Sequence, residues 1–321
     1  MFGKRYTRQL IERSAENATD RRRFLKAAGA AGLGVAGAGA LGGALSLGLG
    51  SAGATQQKDD KNGKEAASDA AVLNFALNLE YLEANLYSFA AHGYGLNDKY
   101  IGGIGNVGKV SGGHAVKFKS EAVKQTVEEI AGDEVAHVTF LRKALDKAAV
   151  AQPEIDFQNA FTAAMQAAGV INKGQTFDPF ASENNFLLSA FLFEDVGVSA
   201  YKGAAPLINN KTFLDAAAGI LAVEAYHAGI VRTQLFERGL GDVTNKISDA
   251  RDSLDGKADD DEGVLKYGKA NLVLADGNGI AFGRSTERVL NIAYLNPDQV
   301  SSGGFFPRGL NGDIATSGKK E

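Results

Sequence analysis

The sequence predicts an all-α fold: an antiparallel four-helix bundle with one long crossover, followed by a mostly irregular C-terminal extension. Three observations lead to this prediction. Four long segments repeat apolar residues at helical spacing. A long stretch, 150–181, separates the second segment from the third, and a bundle of this kind contains one such crossover. Glu and His residues also recur inside the apolar stripes of these segments, which indicates a polar site within the bundle.

The composition limits the chemistry that the chain can perform. With 321 residues, the chain can hold one large domain or two modest ones. A net charge of -4 with mixed signs argues against nucleic-acid binding, which normally requires a clustered basic face. The chain contains no cysteine, and this excludes disulfides, cysteine-ligated metal clusters and thiol nucleophiles. Any metal must therefore be bound by oxygen atoms and imidazole.

Residues 1–54 are interpreted as an export signal, which takes no part in the fold. Arginines at 21–23 precede an uncharged, Gly-rich run at 27–50, and this order resembles the twin-arginine type of signal. The alternative is a membrane span, since the run is about as long as the roughly 20 residues needed to cross. The span is the less favoured interpretation, because each glycine in the run weakens a helix by about 1 kcal/mol. We expect a periplasmic or extracellular protein that uses the twin-arginine export machinery, or a membrane-anchored protein if the signal is not cleaved.

A polar linker and four helices follow the signal. Residues 55–68 lack periodicity and predict a disordered linker, so the bundle is expected at 69–238. Gly93, Pro206 and Gly239 are typical helix-terminating residues. The four helices are predicted at 69–92, about 118–149, 182–204 and 212–239, the last opening with a capping-box-like Thr212.

The connections between the helices predict the topology. The link between the third and fourth helices is short, so these two helices should be antiparallel neighbours. The crossover contains a predicted short helix at 157–168. The Gly-rich segment 93–117 between the first and second helices is predicted to be an irregular surface loop.

The C-terminal extension, 239–321, is expected to pack against the bundle or a partner. An acidic stretch at 242–262 is predicted to be turn-rich, and a short helix is predicted at 286–294. The aspartates of this region could bind calcium, but their spacing fits no regular calcium-binding loop, so a solvated acidic surface is the favoured interpretation. These aspartates are Asp249, Asp252, Asp255, Asp259, Asp260 and Asp261.

Two Glu-x-x-His motifs carry the chemistry. Glu134 and His137 form the first motif on the second helix, and Glu224 and His227 form the second on the fourth helix. Three residues of helix turn through about 300° and rise about 4.5 Å, so each Glu and its His lie on the same face and can reach one ion. This pair of motifs is the signature expected of a two-metal helical bundle.

The other two helices each contribute a single carboxylate. Glu80 and Glu194 lie in apolar stripes where a charge is not expected, and each is followed seven residues later by a tyrosine, Tyr87 and Tyr201. The repeated order predicts two similar helix hairpins related by pseudo-twofold symmetry. Glu83 lies one turn from Glu80, and it is equally well interpreted as a partner of the site or as a surface charge.

Electrostatics argues that the site holds metal. Four carboxylates that converge in an apolar core would repel one another and raise their pKa values, and each would cost several kcal/mol to bury. Two divalent ions would balance the four charges, with neutral histidines completing each coordination sphere. The alternative is that each Glu is an exposed charge and each His an ordinary core residue.

The order of these residues resembles the ferritin, bacterioferritin and rubrerythrin superfamily across 69–238. The segment 73–83 and the Gly- and Phe-rich element 303–312 are more narrowly similar to the desiccation-related ferritin-like proteins. The resemblance implies a ferritin-like bundle with a pair of iron ions, or of manganese ions. The long loop and the extension are foreign to cage-forming ferritins, which argues against an iron-storage shell.

The resemblance also implies a role for each site residue. Glu134 and Glu224 would bridge the two metals, and Glu80 and Glu194 would be terminal ligands. His137 and His227 would each bind one of the two metals. Tyr87 and Tyr201 would hydrogen-bond carboxylates that lie beyond the ligands.

Two functions follow as hypotheses. The leading one is an exported di-metal oxidoreductase, with ferroxidase, peroxidase or catalase-like activity, that oxidises ferrous ion or consumes peroxide or dioxygen in stress protection. The alternative is a structural or desiccation-protective protein in which the metals only stabilise the bundle and the extension mediates interactions. A homo-oligomer is left open. A substrate oxygenase is less favoured, because no substrate-binding signature is present.

Overall fold

A computed structural model describes residues 67–256 and 260–319 of the chain. The predictions of an export signal at 1–54 and of a linker at 55–68 therefore lie outside the described residues, apart from 67 and 68.

The described residues form helices and a few very short strands. The helices are α1 (Asp69–His92), α2 (Asp98–Ile101), α3 (Glu121–Leu145), α4 (Phe157–Ala167), α5 (Glu183–Ala204), α6 (Lys211–Glu237), α7 (Gly241–Asp255) and α8 (Thr286–Ala293). The strands are β1 (Val110–Ser111), β2 (Ile155–Asp156), β3 (Leu265–Lys266) and β4 (Lys269–Ala270). Single 3-10 turns, Asp146–Ala148 and Ala205–Leu207, follow α3 and α5.

The four long helices form the bundle, which confirms the predicted all-α fold. Helix α1 packs most extensively against α3, and α5 packs most extensively against α6, so the bundle consists of two helix hairpins. Helix α1 also contacts α5, which joins the hairpins. Both α1 and α5 are buried along most of their length, whereas α3 and α6 each expose one face.

The helix ends follow from local sequence. The Ser68 hydroxyl accepts a hydrogen bond from the Ala71 N–H and starts α1. Gly93 ends α1 with φ at 82°, a left-handed conformation that glycine adopts without strain. The predicted start of the fourth helix at Thr212 is wrong. The Asn210 side chain caps α6 instead, because its oxygen accepts from the N–H groups of Thr212 and Phe213.

The segment 93–117 is not only an irregular loop. It contains α2 and β1, and β1 pairs in parallel with β2 of the crossover. The Gly108 N–H donates to the Gln152 carbonyl at 2.8 Å, and a Cβ at Gly108 would overlap the backbone of Glu154. Only glycine permits this approach. Backbone pairing therefore holds the segment against the crossover.

The acidic part of the extension contains a helix that the sequence did not predict. Helix α7 buries Ile247, but also Arg251 and Asp255, so its buried face carries charges and shows no clear apolar stripe. The prediction of a turn-rich stretch at 242–262 is therefore wrong over α7. Farther along the extension, the Phe305 ring packs against Phe161 at 4.9 Å and Phe193 at 4.7 Å between ring centroids.

Three aspartates of the extension are buried and do not belong to a solvated surface. Asp255, Asp260 and Asp261 are only 3%, 6% and 2% exposed. Arg284 binds all three, and its Nε lies 2.7 Å from Asp255 Oδ2. Arg288 also donates to Asp255 and Asp260. Asp249 is exposed as predicted, and Asp259 lies outside the described residues. The prediction missed this burial because the arginines that pair with the aspartates are distant in sequence.

This ion-pair network attaches the extension to the bundle. Asp195 of α5 accepts hydrogen bonds from Arg232 at 2.7 Å and from Arg251 at 3.1 Å. Arg251 also lies 2.7 Å from Asp261 Oδ1, so the network is continuous from α5 into the extension. All four side chains are almost fully buried.

Among the described residues, α6 is the helix long and apolar enough to cross a membrane by length and composition alone. A core helix of a soluble protein passes the same test. In this structure, α6 packs against α5 and carries buried Glu224 and His227 on that side.

Candidate metal centre

Six of the predicted site residues meet at the centre of the bundle. Each long helix contributes at least one of them, and the one-turn spacing within α3 and α6 places Glu and His on the same inward face. The six residues are between 0% and 7% exposed: Glu80, Glu134, His137, Glu194, Glu224 and His227. The alternative of exposed glutamates is therefore wrong.

The first half of the site surrounds His137. Its Nδ1 lies 3.2 Å from Glu80 Oε2, 3.4 Å from Glu224 Oε1 and 3.7 Å from Glu134 Oε2. One donor atom from each of these four residues lies within 4.8 Å of all the others. This spacing is suitable for a single ion bound between them.

The second half surrounds His227. Its Nδ1 lies 3.0 Å from Glu134 Oε1 and 3.9 Å from Glu194 Oε2, and these three residues also offer donor atoms within 4.8 Å of one another. Glu134 belongs to both halves, with one oxygen facing each histidine. The two imidazole rings are 6.3 Å apart between centroids. A carboxylate in this position can bridge two ions.

The buried oxygen and nitrogen atoms that could donate to a metal ion lack hydrogen-bond partners. Buried polar groups in folded proteins are almost always hydrogen-bonded, so each exception requires an explanation. Eight buried side-chain atoms of these six residues have no hydrogen bond in the described structure: Glu80 Oε2, both Glu134 oxygens, His137 Nδ1, Glu194 Oε2, both Glu224 oxygens and His227 Nδ1. The orphaned atoms face one another across the site. Metal ions would satisfy them, and carboxylate with imidazole is a donor set that iron and manganese accept.

The pKa values show how strongly the site favours positive charge. Burial raises the pKa of Glu80 to about 8 and holds that of Glu194 well above its usual range. Burial also raises the pKa of Glu134, but the close contacts with His137 and His227 outweigh it and lower this pKa to about 2. Glu134 therefore stays ionised while its neighbours tend to hold protons.

The pKa values of both histidines are raised, although both side chains are buried. Burial alone would lower both pKa values, but the close contact with Glu134 and the charge of Glu194 raise the pKa of His227 to about 10. Glu80 and the other nearby carboxylates raise the pKa of His137 far above its usual range. Without metal, protons on the histidines would compensate the carboxylates, so metal and protons compete for the same positions.

The tyrosines contact the carboxylates of the opposite hairpin. The Tyr87 hydroxyl donates to Glu194 Oε1, and the Tyr201 hydroxyl donates to Glu80 Oε1. The resemblance implied bonds to carboxylates beyond the ligands, whereas the structure places these bonds on the predicted terminal ligands themselves. Each bond holds one oxygen of the carboxylate and leaves the other, Oε2, facing the centre.

Glu83 is a buried group of the site and not a surface charge. It is 5% exposed, and burial together with the neighbouring Glu224 raises its pKa well above the usual range. A Cβ added at Gly197 of α5 would lie 2.7 Å from Glu224 Oε2 and 3.2 Å from Glu83 Oε1. Gly197 thus brings the α5 backbone against both carboxylates.

Asp133 is a site residue that the sequence analysis missed. Its Oδ2 lies 3.2 Å from His227 Nε2 and can accept the Nε2–H, so Nδ1 is the nitrogen that faces the centre and is available to a metal. Asp133 immediately precedes Glu134, and this adjacency was the available signal. The other motif has Val223 in the corresponding position, so the two halves are not equivalent.

Comparisons with known proteins place the chain in a family. The chain is 30% identical to the desiccation-related protein PCC13-62 of Craterostigma plantagineum over 264 residues, which cover 76% of this chain and 83% of that protein. It is 26% identical to the ferritin-like catalase Nec2 of Nesocodon mauritianus over 280 residues, covering 80% and 87%. No solved structure matches significantly. Residues 68–237, which span the whole bundle, match the family described as Ferritin-like domain, and this chain therefore belongs to the ferritin-like family.

Proposed function

We propose that this chain is an oxidoreductase with a pair of iron or manganese ions, which oxidises ferrous ion or consumes hydrogen peroxide or dioxygen in stress protection. The observation that carries the proposal is the set of eight orphaned donor atoms that converge from four helices. Such atoms are costly to bury in a fold unless they bind a ligand.

The protein supplies binding and orientation. Glu134 presents one oxygen to each half, and His137 and His227 each present Nδ1. Tyr87 and Tyr201 fix the rotation of the two single carboxylates, which keeps the donor set in place before an ion arrives. When bound, a pair of redox-active ions supplies the electron transfer to and from the small oxidant.

The relatives support an oxidoreductase over a storage protein. One relative is named a catalase and another a desiccation-related protein, and both align along most of this chain. Disproportionation of hydrogen peroxide to water and dioxygen needs no separate reductant. Ferrous oxidation needs dioxygen or peroxide as electron acceptor.

Export of the folded, metal-loaded protein is part of the proposal. Its support is the sequence 1–54, with its paired arginines and uncharged run. Cell fractionation of the full chain, beside a variant with Arg22→Lys and Arg23→Lys, tests it. Export is expected in the wild type only; equal export of both proteins would contradict the twin-arginine route.

Turnover by the reconstituted protein tests the activity. Protein loaded anaerobically with ferrous or manganous ion should consume hydrogen peroxide or oxidise added ferrous ion. The Glu134→Gln variant should lose this activity together with its metal, because a neutral side-chain amide cannot bridge two cations as a carboxylate does. Glu129→Gln is the matched control, since Glu129 lies on the same helix but is exposed.

A structural role is the second candidate. The observation that favours it is the buried network of Asp195, Arg251 and Arg284, which attaches the extension to the bundle without taking part in the metal centre. Two metals bound per chain without turnover of peroxide or ferrous ion would favour this candidate over the oxidoreductase.

A further inference from the structure

A small cavity lies beside the metal centre, where α8 of the extension packs against α1 and α5. Its volume is about 20 Å³. Leu82 and Glu83 of α1, Val196 and Gly197 of α5, and Val289 and Ile292 of α8 line most of it. Leu79 also lines the cavity and is the lining residue that is partly exposed to solvent. The cavity therefore extends inward from the rim at Leu79.

The inner end of the cavity adjoins the metal centre. Glu83 and Gly197 line this cavity, and a Cβ at Gly197 would lie 2.7 Å from Glu224 Oε2. Gly197 and Glu83 therefore form the boundary between the cavity and Glu224, a predicted bridging ligand. A side chain at 197 would overlap the Glu224 carboxylate.

The size and polarity of the cavity restrict what can pass. A cavity needs about 10–15 Å³ to hold one water molecule, so this one accepts a molecule of that order and no organic side group. Its walls are apolar except for Glu83, which is the single charged residue among those that line it. A small neutral molecule would move along these apolar walls without having to leave a charged group behind. The first side chain that could hydrogen-bond it is Glu83.

We propose that this cavity is the entry route by which a small neutral oxidant, of the size of hydrogen peroxide or dioxygen, reaches the metal centre, with α8 as its outer wall. The proposal rests on the proposed function, because it supplies that site with its oxidant. It also assigns a role to the extension: α8 sets the size limit on what enters.

Two variants of α8 test the route in opposite directions. Ala293→Leu adds bulk to a residue that lines the cavity, and Val289→Ala removes bulk from another. Val264→Ala is the matched control for the second, because Val264 is an equally buried valine of the extension that does not line the cavity. Metal content and unfolding midpoint are measured for each variant.

The first readout is binding and does not require turnover. Nitric oxide, a neutral diatomic molecule, is mixed in stopped flow with protein loaded anaerobically with ferrous ion. We expect association to slow by about tenfold or more in Ala293→Leu at unchanged metal content. Equal association rates in Ala293→Leu, Val289→Ala and wild type would overturn the proposal.

The second readout is selectivity among peroxides. Val289→Ala should raise the rate with tert-butyl hydroperoxide relative to hydrogen peroxide, whereas Val264→Ala should leave this ratio unchanged. If Ala293→Leu fails to fold, this comparison alone decides. An unchanged ratio in Val289→Ala would overturn the proposal.

The outcomes separate the route from the proposed function. Slower nitric oxide association in a protein that turns over no oxidant would support the route and contradict the function. Normal turnover, together with nitric oxide association rates that are unchanged in both α8 variants, would support the function and contradict the route. A wild type that binds no iron would overturn both.

Discussion

Metal removal should make the stability of the bundle depend strongly on pH. In the metal-free protein, the pKa of His227 is raised from 6.5 to about 10. Between these values the folded chain keeps a proton that the unfolded chain has released, so each rise in pH favours unfolding. The stabilising contribution is complete below about pH 6.5 and lost above about pH 10. Glu80, whose pKa is raised from 4.5 to about 8, acts in the same direction at lower pH.

The magnitude follows from these shifts. One pKa unit corresponds to about 1.4 kcal/mol, so the shift of His227 alone corresponds to about 5 kcal/mol. The groups of the site share the same charges, so their contributions do not add. We expect the free energy of unfolding of the metal-free protein to fall by about 3–5 kcal/mol between about pH 6 and about pH 10.

Urea unfolding followed by far-ultraviolet circular dichroism measures this effect. Metal-free and metal-loaded protein are compared at intervals of pH, with His114→Gln as a control because His114 is an exposed histidine paired with Asp178. The loaded protein should show little dependence on pH above neutrality, because metal replaces the protons. A metal-free protein whose stability stays constant or rises between about pH 7 and 9 would contradict the raised pKa values of His227 and Glu80.

Three substitutions test other parts of the structure. Tyr201→Phe removes the hydrogen bond to Glu80 and should weaken metal binding by about 10- to 100-fold in competition with a chelator, without loss of helix; unchanged affinity would contradict the role of this bond. Asp133→Asn should weaken binding at the His227 half only, so that a titration shows two separated steps; equal weakening of both steps would contradict it. Arg284→Met leaves buried aspartates unpaired and should cost about 3–5 kcal/mol in urea unfolding at unchanged metal content, and a loss below about 1 kcal/mol would show that the pairing is unimportant.

The bundle was predictable because its signals are local. The helix from 69 to 92 has a capping serine, a terminating glycine and a continuous apolar stripe, and the structure places α1 at the same residues. The two Glu-x-x-His motifs were recognisable because helix geometry alone places their side chains on one face. Because that face is buried in each helix, the Glu and His side chains come together at the centre of the bundle.

The features that were missed depend on contacts between distant residues. Helix α7 has charged residues on its buried face, and only their pairing with Asp195 and Arg284 makes that burial stable. The bonds of Tyr87 and Tyr201 to the opposite hairpin depend on how the helices are aligned, which no local pattern encodes. The fold of segment 93–117 depends on its pairing with the crossover.

The metal content of the purified protein shows whether the bundle holds a pair of ions. Wild type purified from cells that express the full chain is compared with a double variant, Glu134→Ala and Glu224→Ala, by elemental analysis. We expect about two iron or manganese ions per wild-type chain and almost none in the variant. Little metal in the wild type, with a variant of equal stability, would contradict this expectation.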